Sequence, residues 1–338
     1  MGVRRWGGPL SDVGLVGPRV IVVGGAGFIG SHAVDRLLGS RRVERVTVFD
    51  NFSSGRWWHL EHHLDDPRLR VVEADVKDLD ALTTAMERHD LVIHLASNPD
   101  IAAAMADPTI DFYEGTLLTH HVAEAMRRND VRRAVYASGS GVYGDLGEVA
   151  PDENHGPLVP TSTYGASKVA GEALLCSYAH MFGSQVATFR FGNVVGPRQT
   201  HGVGFDFLRS LAENPTTLLI LGDGRQSKSY IHVDDVLNAV FHASERQTVP
   251  FSAWNVATGD YITVTEIAGL AIDVAGLSRA DVELQYTGGA RGWKGDVPVV
   301  RLDISKIRAT GWTCTRLTRE ALRDSMLAIV GEGERLGW

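Results

Sequence analysis

The chain has 338 residues, 44% of them hydrophobic and 22% charged, a composition that fits one large or two modest folded domains and excludes wholesale disorder. Its 33 basic and 41 acidic side chains leave a net charge of −8, which argues against nucleic acid or an anionic membrane as partner, though not against a small anion held at a helix end. Only Cys176 and Cys314 are present, with no Cys/His metal spacing, and no run nears the ~18 apolar residues of a membrane helix, so a cytoplasmic protein with reduced thiols and no metal is expected.

Residues 1–18 hold Arg4 and Arg5 with no apolar stretch behind them and read as a loose extension, not a signal peptide. From there, short apolar runs alternate with amphipathic stretches. Strands are expected at Arg19–Val23, Val46–Phe49, Leu69–Val72, Leu91–Leu95, Ala134–Ala137 and Val186–Phe191. Helices are expected near Phe28–Leu38, Leu79–Arg88, Asp111–Arg128 and Thr163–Phe182. Strands that are apolar throughout and spaced by helices imply a parallel sheet covered on both faces. Past residue 195 the rhythm loosens, with turns at Val195–Pro197 and Gly222–Gly224 and helices near Val233–Ser244, Val264–Ala275 and Leu317–Val330. The fold class is therefore α/β: a doubly wound parallel sheet over residues 19–192, then a smaller α/β substrate domain over 193–338 that exchanges some strand and helix with the first.

The first strand runs into Gly24, Gly27 and Gly30 at the start of a helix. Gly24 permits a tight turn, Gly27 lets backbone approach a pyrophosphate, and Gly30 allows close packing of helix on strand, so this is a dinucleotide site of the Rossmann type. The second strand ends at Asp50, where a carboxylate accepts from ribose hydroxyls and repels a 2′-phosphate; NAD is therefore expected over NADP. Asp75 and Val76 are placed to reach the adenine. Leu95, Ala96 and Ser97 follow the fourth strand at the end where open α/β sheets bind ligands, and His94 reads as a packed histidine.

Tyr164 and Lys168 stand four apart at the start of a long helical pattern and share one face. Chance predicts only about 0.1 such pairs from eight Tyr and five Lys. A phenol titrates near ~10, and a neighbouring ammonium stabilises its anion, which makes a usable general base.

These residues resemble the extended short-chain dehydrogenase/reductases, and within them the nucleotide-sugar 4-epimerases. The likeness runs from Arg19 to Trp312. It rests on Gly24–Gly30, Asp50-Asn-Phe-Ser-Ser-Gly55, Asp75-Val76, His94-Leu-Ala96, Val142-Tyr-Gly144 and Tyr164-x-x-x-Lys168. It extends through Arg190-Phe-Gly-Asn-Val-Val-Gly-Pro197, the segment Gly222–Val233 and Gly295-Asp-Val297. Gly292–Val297 and Thr200–Val203 look closest to archaeal-type sugar epimerases. The resemblance implies bound NAD, held also by Phe28, Ile29, Asn51, Ser53, Gly55 and Phe191. It implies Tyr164 as the base, with Lys168 holding the nicotinamide ribose and lowering the phenol pKa. For a UDP-linked sugar it implies substrate contacts from Asn193, Lys228 and Arg291, and it implies a homodimer through the helices near Asp111–Arg128 and Thr163–Phe182.

Relatives carry a catalytic Ser or Thr four residues before the tyrosine of Val-Tyr-Gly, and here that position is Gly139. Ser138 or Ser140 is expected to supply the hydroxyl that binds the developing oxyanion. Where many relatives read Asn-x-x-Gly-Thr, this chain has Asp111-Phe-Tyr-Glu-Gly-Thr116. The leading expectation is C4 epimerisation of a UDP-glucose/galactose, N-acetylhexosamine or uronic acid type of substrate. Two alternatives are a 4,6-dehydratase or decarboxylase, whose usual acid is absent at Ser140-Gly141, and a non-catalytic NAD-binding regulator.

Overall fold

The computed structural model describes residues 17–98 and 101–337, so most of the expected extension over 1–18 lies outside the described residues. The main sheet has seven strands: β1 (Arg19–Val23), β2 (Arg45–Asp50), β3 (Leu69–Glu73), β4 (Leu91–His94), β5 (Arg133–Gly139), β6 (Gln185–Phe191) and β11 (Phe251–Val256). All neighbours pair parallel, in the order β11-β6-β5-β4-β1-β2-β3. The order turns back between β1 and β4. In an open α/β sheet the crevice outside the carboxyl ends at such a switch point is where ligands bind.

The helices around the sheet are α1 (Phe28–Gly39), α2 (Leu79–Ala85), α3 (Leu117–Arg128), α4 (Thr163–Phe182) and α6 (Val233–Glu245). Successive strand residues face opposite layers, as a strand requires. Val20, Val22, Val46 and Val48 pack with Ala33 and Leu37 of α1 and Val236 and Val240 of α6. Ile21, Val23, Phe49 and Val92 pack on the other face with Leu82, Leu118, Val122 and Leu175. The uniformly apolar runs in the sequence reflect burial on both sides.

A third core joins α5 (Val203–Glu213), α7 (Val264–Val274) and α9 (Thr318–Gly331) around Phe205, Leu208, Leu218, Ile267, Leu322 and Met326. Short strand pairs brace it: β7 (Asn193–Val195) with β10 (Tyr230–His232), β9 (Ser227–Lys228) with β12 (Ile262–Thr263), and β8 (Thr217–Ile220) with β13 (Glu283–Tyr286). The helices α8 (Ser305–Arg308) and α10 (Gly333–Leu336) are single turns.

Several elements depart from the sequence reading, among them the short strands β7–β10, β12 and β13 and the end of α2 at Ala85. The seventh strand β11 and helix α5 appear where no element was expected, and the stretch read as one helix from Asp111 opens with a π-helical turn at Phe112–Thr116. One surface cluster clamps the segment after β2 onto α1: Asp35 accepts from His62 and His63 Nε2 at 2.8 and 2.9 Å and pairs with Arg198 at 2.8 Å. Among the described residues no helix is long and apolar enough to cross a membrane.

Candidate active site

The glycine loop is built by close approach. Gly24 has φ +83°, and a Cβ there would lie 2.6 Å from Ala96 N; at Gly30 it would lie 2.1 Å from Gly24 O. Helix α1 begins at Phe28 with no side-chain cap and no acidic residue in its first turn, so its leading N–H groups and positive dipole end face the crevice. That donor set suits a pyrophosphate, and the cradle would be filled by any side chain at Gly24 or Gly30; the residues present fit NAD.

Asp50 ends β2 almost fully buried. Its two oxygens accept from Ala26 N and Phe52 N, both at 2.9 Å, so the carboxylate also ties the glycine loop to the strand. Burial pushes its pKa up, against the pull of those backbone donors. A carboxylate has about four acceptor sites, which leaves capacity for ribose hydroxyls. Beside it, Asn51 donates to Asp75 at 3.1 Å and accepts from Ser53 N at 3.1 Å, while Asp75 also accepts from Lys77 N at 2.8 Å. Gly55 packs against Ala26 and Asp50, and His121 bonds the Val76 carbonyl at 2.9 Å. Leu95 and Ala96 both bond to Val23 O, which sets the β4 turn against the β1 turn. His94 is buried, bonded to Thr119 at 3.2 Å and held neutral by burial, as a packed histidine.

Tyr164 enters from the second residue of α4, capped by Ser162 Oγ accepting from Gly165 N at 3.1 Å. The helix N-terminus favours a phenolate there. Lys168, one turn on, is buried; its Nζ donates to Ala137 O at 2.9 Å and stands 5.3 Å from the Tyr164 ring centre. Burial raises the phenol to about 12, eased by Ser97 and raised further by Asp111. Burial lowers Lys168 to about 8, with Asp111 and Glu172 pulling it back up.

The expected hydroxyls do not fare alike. Ser138 Oγ donates to Glu172 Oε1 at 2.6 Å, inside a buried pair in which Arg190 meets Glu172 at 2.7 Å. That engagement takes the proton of the Ser138 hydroxyl. Ser140 lines a small cavity with Leu146, Val149 and Val300. Phe191 is paired with Gly139 at the ends of β6 and β5. Asn193 donates to Ser229 O at 3.3 Å. Lys228 pairs with Asp296 at 2.7 Å, while Arg291 donates to Asp296 O at 2.6 Å and pairs with Asp145 at 2.7 Å. The two expected phosphate cations thus converge on one buried aspartate.

Residues to which the sequence reading assigned no site role are Asp111, Glu172 and Arg190. Asp111 accepts from Asn98 at 2.9 Å and from Thr163 at 2.7 Å, so it joins the β4 turn to the start of α4. Glu172 follows Lys168 by another helical turn, a spacing that was visible in Tyr164-x-x-x-Lys168-x-x-x-Glu172.

A model of the NAD dependent epimerase/dehydratase family matches residues 20–257. A UDP-glucose 4-epimerase of Mycolicibacterium smegmatis is 33% identical over 301 residues, 87% of this chain and 93% of that protein. A crystal structure of a UDP-galactose 4-epimerase superposes with a TM-score of 0.82 at 36% identity, covering 93% of this chain and 99% of the other. The dTDP-glucose 4,6-dehydratase DesIV of Streptomyces venezuelae, solved with NAD bound, superposes at 0.86 with 26% identity over 94% of this chain and 99% of its own.

Proposed function

The chain belongs to the NAD dependent epimerase/dehydratase family, and we propose that it interconverts the C4 epimers of a UDP-hexose. The observation that carries this reading is the Tyr164–Lys168 pair, Lys168 Nζ 5.3 Å from the Tyr164 ring centre, in a chain whose parallel sheet also carries the glycine loop and which is 36% identical in sequence to a UDP-galactose 4-epimerase. NAD, when bound, supplies the hydride acceptor and donor for sugar C4. Tyr164 Oη takes the proton of the 4-hydroxyl and returns it to the 4-oxygen of the product. Lys168, fixed to Ala137 O, keeps its charge beside that phenol and is positioned to reach the nicotinamide ribose. Asp50 holds the adenine ribose, and Asn193, Lys228 and Arg291 bind the UDP diphosphate, the two cations exchanging their present carboxylate partners for phosphate oxygens.

The test is to incubate the NAD-loaded protein with UDP-glucose, UDP-galactose and their N-acetyl and uronic relatives, and to separate the epimers by chromatography. The reading expects one pair to equilibrate and Tyr164→Phe to abolish the exchange. Failure with every pair overturns it. The likeness to DesIV favours a second reading, a 4,6-dehydratase, which also begins with oxidation at C4. Against it, Ser140 and Gly141 stand where such enzymes need an acid to expel the 6-hydroxyl. A 4-keto-6-deoxy product absorbing in alkali decides for that reading.

A homodimer through α3 and α4 goes with this proposal. Phe112 and Tyr113 before α3, and Met181 and Phe182 at the end of α4, are exposed large apolar side chains on these elements. Sedimentation at micromolar concentration distinguishes dimer from monomer.

A further inference from the structure

Gly139 leaves Tyr164 without the hydroxyl that a serine or threonine there would provide. A Cβ built at Gly139 meets no atom within 4 Å, so the space for that side chain is open. Of the neighbouring serines, Ser138 donates to Glu172 and Ser140 lines a small cavity with Tyr143 and Gly144. A third serine, Ser97, lies just past the end of β4. Its Oγ is buried and makes no hydrogen bond. A buried hydroxyl without a partner is costly and calls for an explanation. Asp111 brings Ser97 and Tyr164 together, since it binds Asn98 with one oxygen and Thr163 with the other, each the chain neighbour of one of the two. The Ser97 hydroxyl already eases the phenol pKa downward, although the two oxygens have not closed into a hydrogen bond.

We propose that Ser97 stands in for the hydroxyl missing at Gly139: its Oγ donates a hydrogen bond to the ionised Tyr164 Oη and holds that oxygen in place for the sugar 4-hydroxyl. Ser97 keeps its own proton throughout; the proton that moves is the one passing between the sugar and Tyr164. The proposal rests on the reading of Tyr164 as the base, and it takes the loss at Gly139 and the hydroxyl at Ser97 as complementary.

Its test needs no sugar. The phenolate absorbance of NAD-loaded protein is titrated with pH, and the transition missing in Tyr164→Phe identifies Tyr164. Ser97→Ala should move that midpoint up by about one unit, the effect of losing one donor to a charged oxygen. Ser97→Cys preserves the volume with a weaker donor and should fall between. Adding Gly139→Ser to Ser97→Ala should bring the midpoint back. On the sugar pair that the enzyme accepts, Ser97→Ala should lower turnover about 10- to 100-fold, shift the acidic limb of the pH profile upward, and be rescued by the same second substitution. An unmoved Tyr164 midpoint in both the alanine and the cysteine variant overturns the proposal. A shifted midpoint in a protein inactive on every UDP-sugar overturns the epimerase reading and leaves the Ser97 assignment standing.

Discussion

The buried pair behind the active site makes a quantitative prediction. Glu172 and Arg190 have side chains only 7% and 6% exposed; Arg190 Nη2 meets Glu172 Oε2 at 2.7 Å and its Nε meets Oε1 at 3.0 Å. Ser138 adds a third donor to the same carboxylate, and Arg190 Nη1 continues the network to Tyr143 Oη at 2.8 Å. Glu172→Leu strands the guanidinium with only Tyr143 and the Glu153 carbonyl as partners. An uncompensated charge at this depth costs about 3–5 kcal/mol. At roughly 2.1 cal/mol/K of unfolding entropy per residue, the whole chain has about 0.7 kcal/mol/K, so the melting midpoint should fall by about 4–7 °C. The double variant Glu172→Leu with Arg190→Met buries no charge and should recover most of that loss. Calorimetry on the wild type, the single variants Glu172→Leu and Arg190→Met, and the double variant, all without NAD, is the assay. Additivity of the two single effects within about 0.5 kcal/mol would refute the reasoning, because it would mean that the two side chains do not depend on each other.

The glycine loop and the buried histidines give further predictions. Gly30→Ala places a methyl group 2.1 Å from a backbone oxygen, so α1 must move; NAD recovered with the purified protein should drop at least about tenfold, and full retention would refute the packing argument. Ser138→Ala removes one donor to the Glu172 carboxylate and should cost about 1.5–3 kcal/mol of stability, read as a lower denaturant midpoint. Burial lowers His32 and His59 to about 4 and His94 to about 3, well under the ordinary value near 6.5. The unfolded chain therefore takes up these protons first as pH falls. Stability is fully present above about pH 6.5 and lost on the way down to about 4, by on the order of 3 kcal/mol per histidine. His94→Gln should flatten that slope in denaturant titrations between about pH 7 and pH 5.

What could be read from the sequence followed how local the signal was. Strand β1 and helix α4 have the expected ends because an apolar run closed by Gly24, and a periodic stretch between Ser162 and Gly183, are each complete within a few residues. Strand β11 escaped because Phe251-Ser-Ala-Trp-Asn-Val256 is broken by polar residues. Asn255 is fully buried there, bonded to Tyr143 and to the carbonyls of Pro151 and Asp303, partners that the sequence places far away. The π turn before α3 likewise has no period of its own. Within the site, the Tyr164–Lys168 pair was visible as a spacing. The Asp111 bridge was not, since Asn98 and Thr163 meet it only after the sheet has brought the β4 turn beside α4. The partner of the Ser138 hydroxyl, Glu172, likewise shows only in space.

The most direct test of C4 epimerisation with Tyr164 as base uses the accepted UDP-sugar labelled with deuterium at C4. The account predicts that the epimer forms with its deuterium retained, while Tyr164→Phe forms none. Deuterium lost to water, or exchange that persists without the Tyr164 hydroxyl, would contradict it.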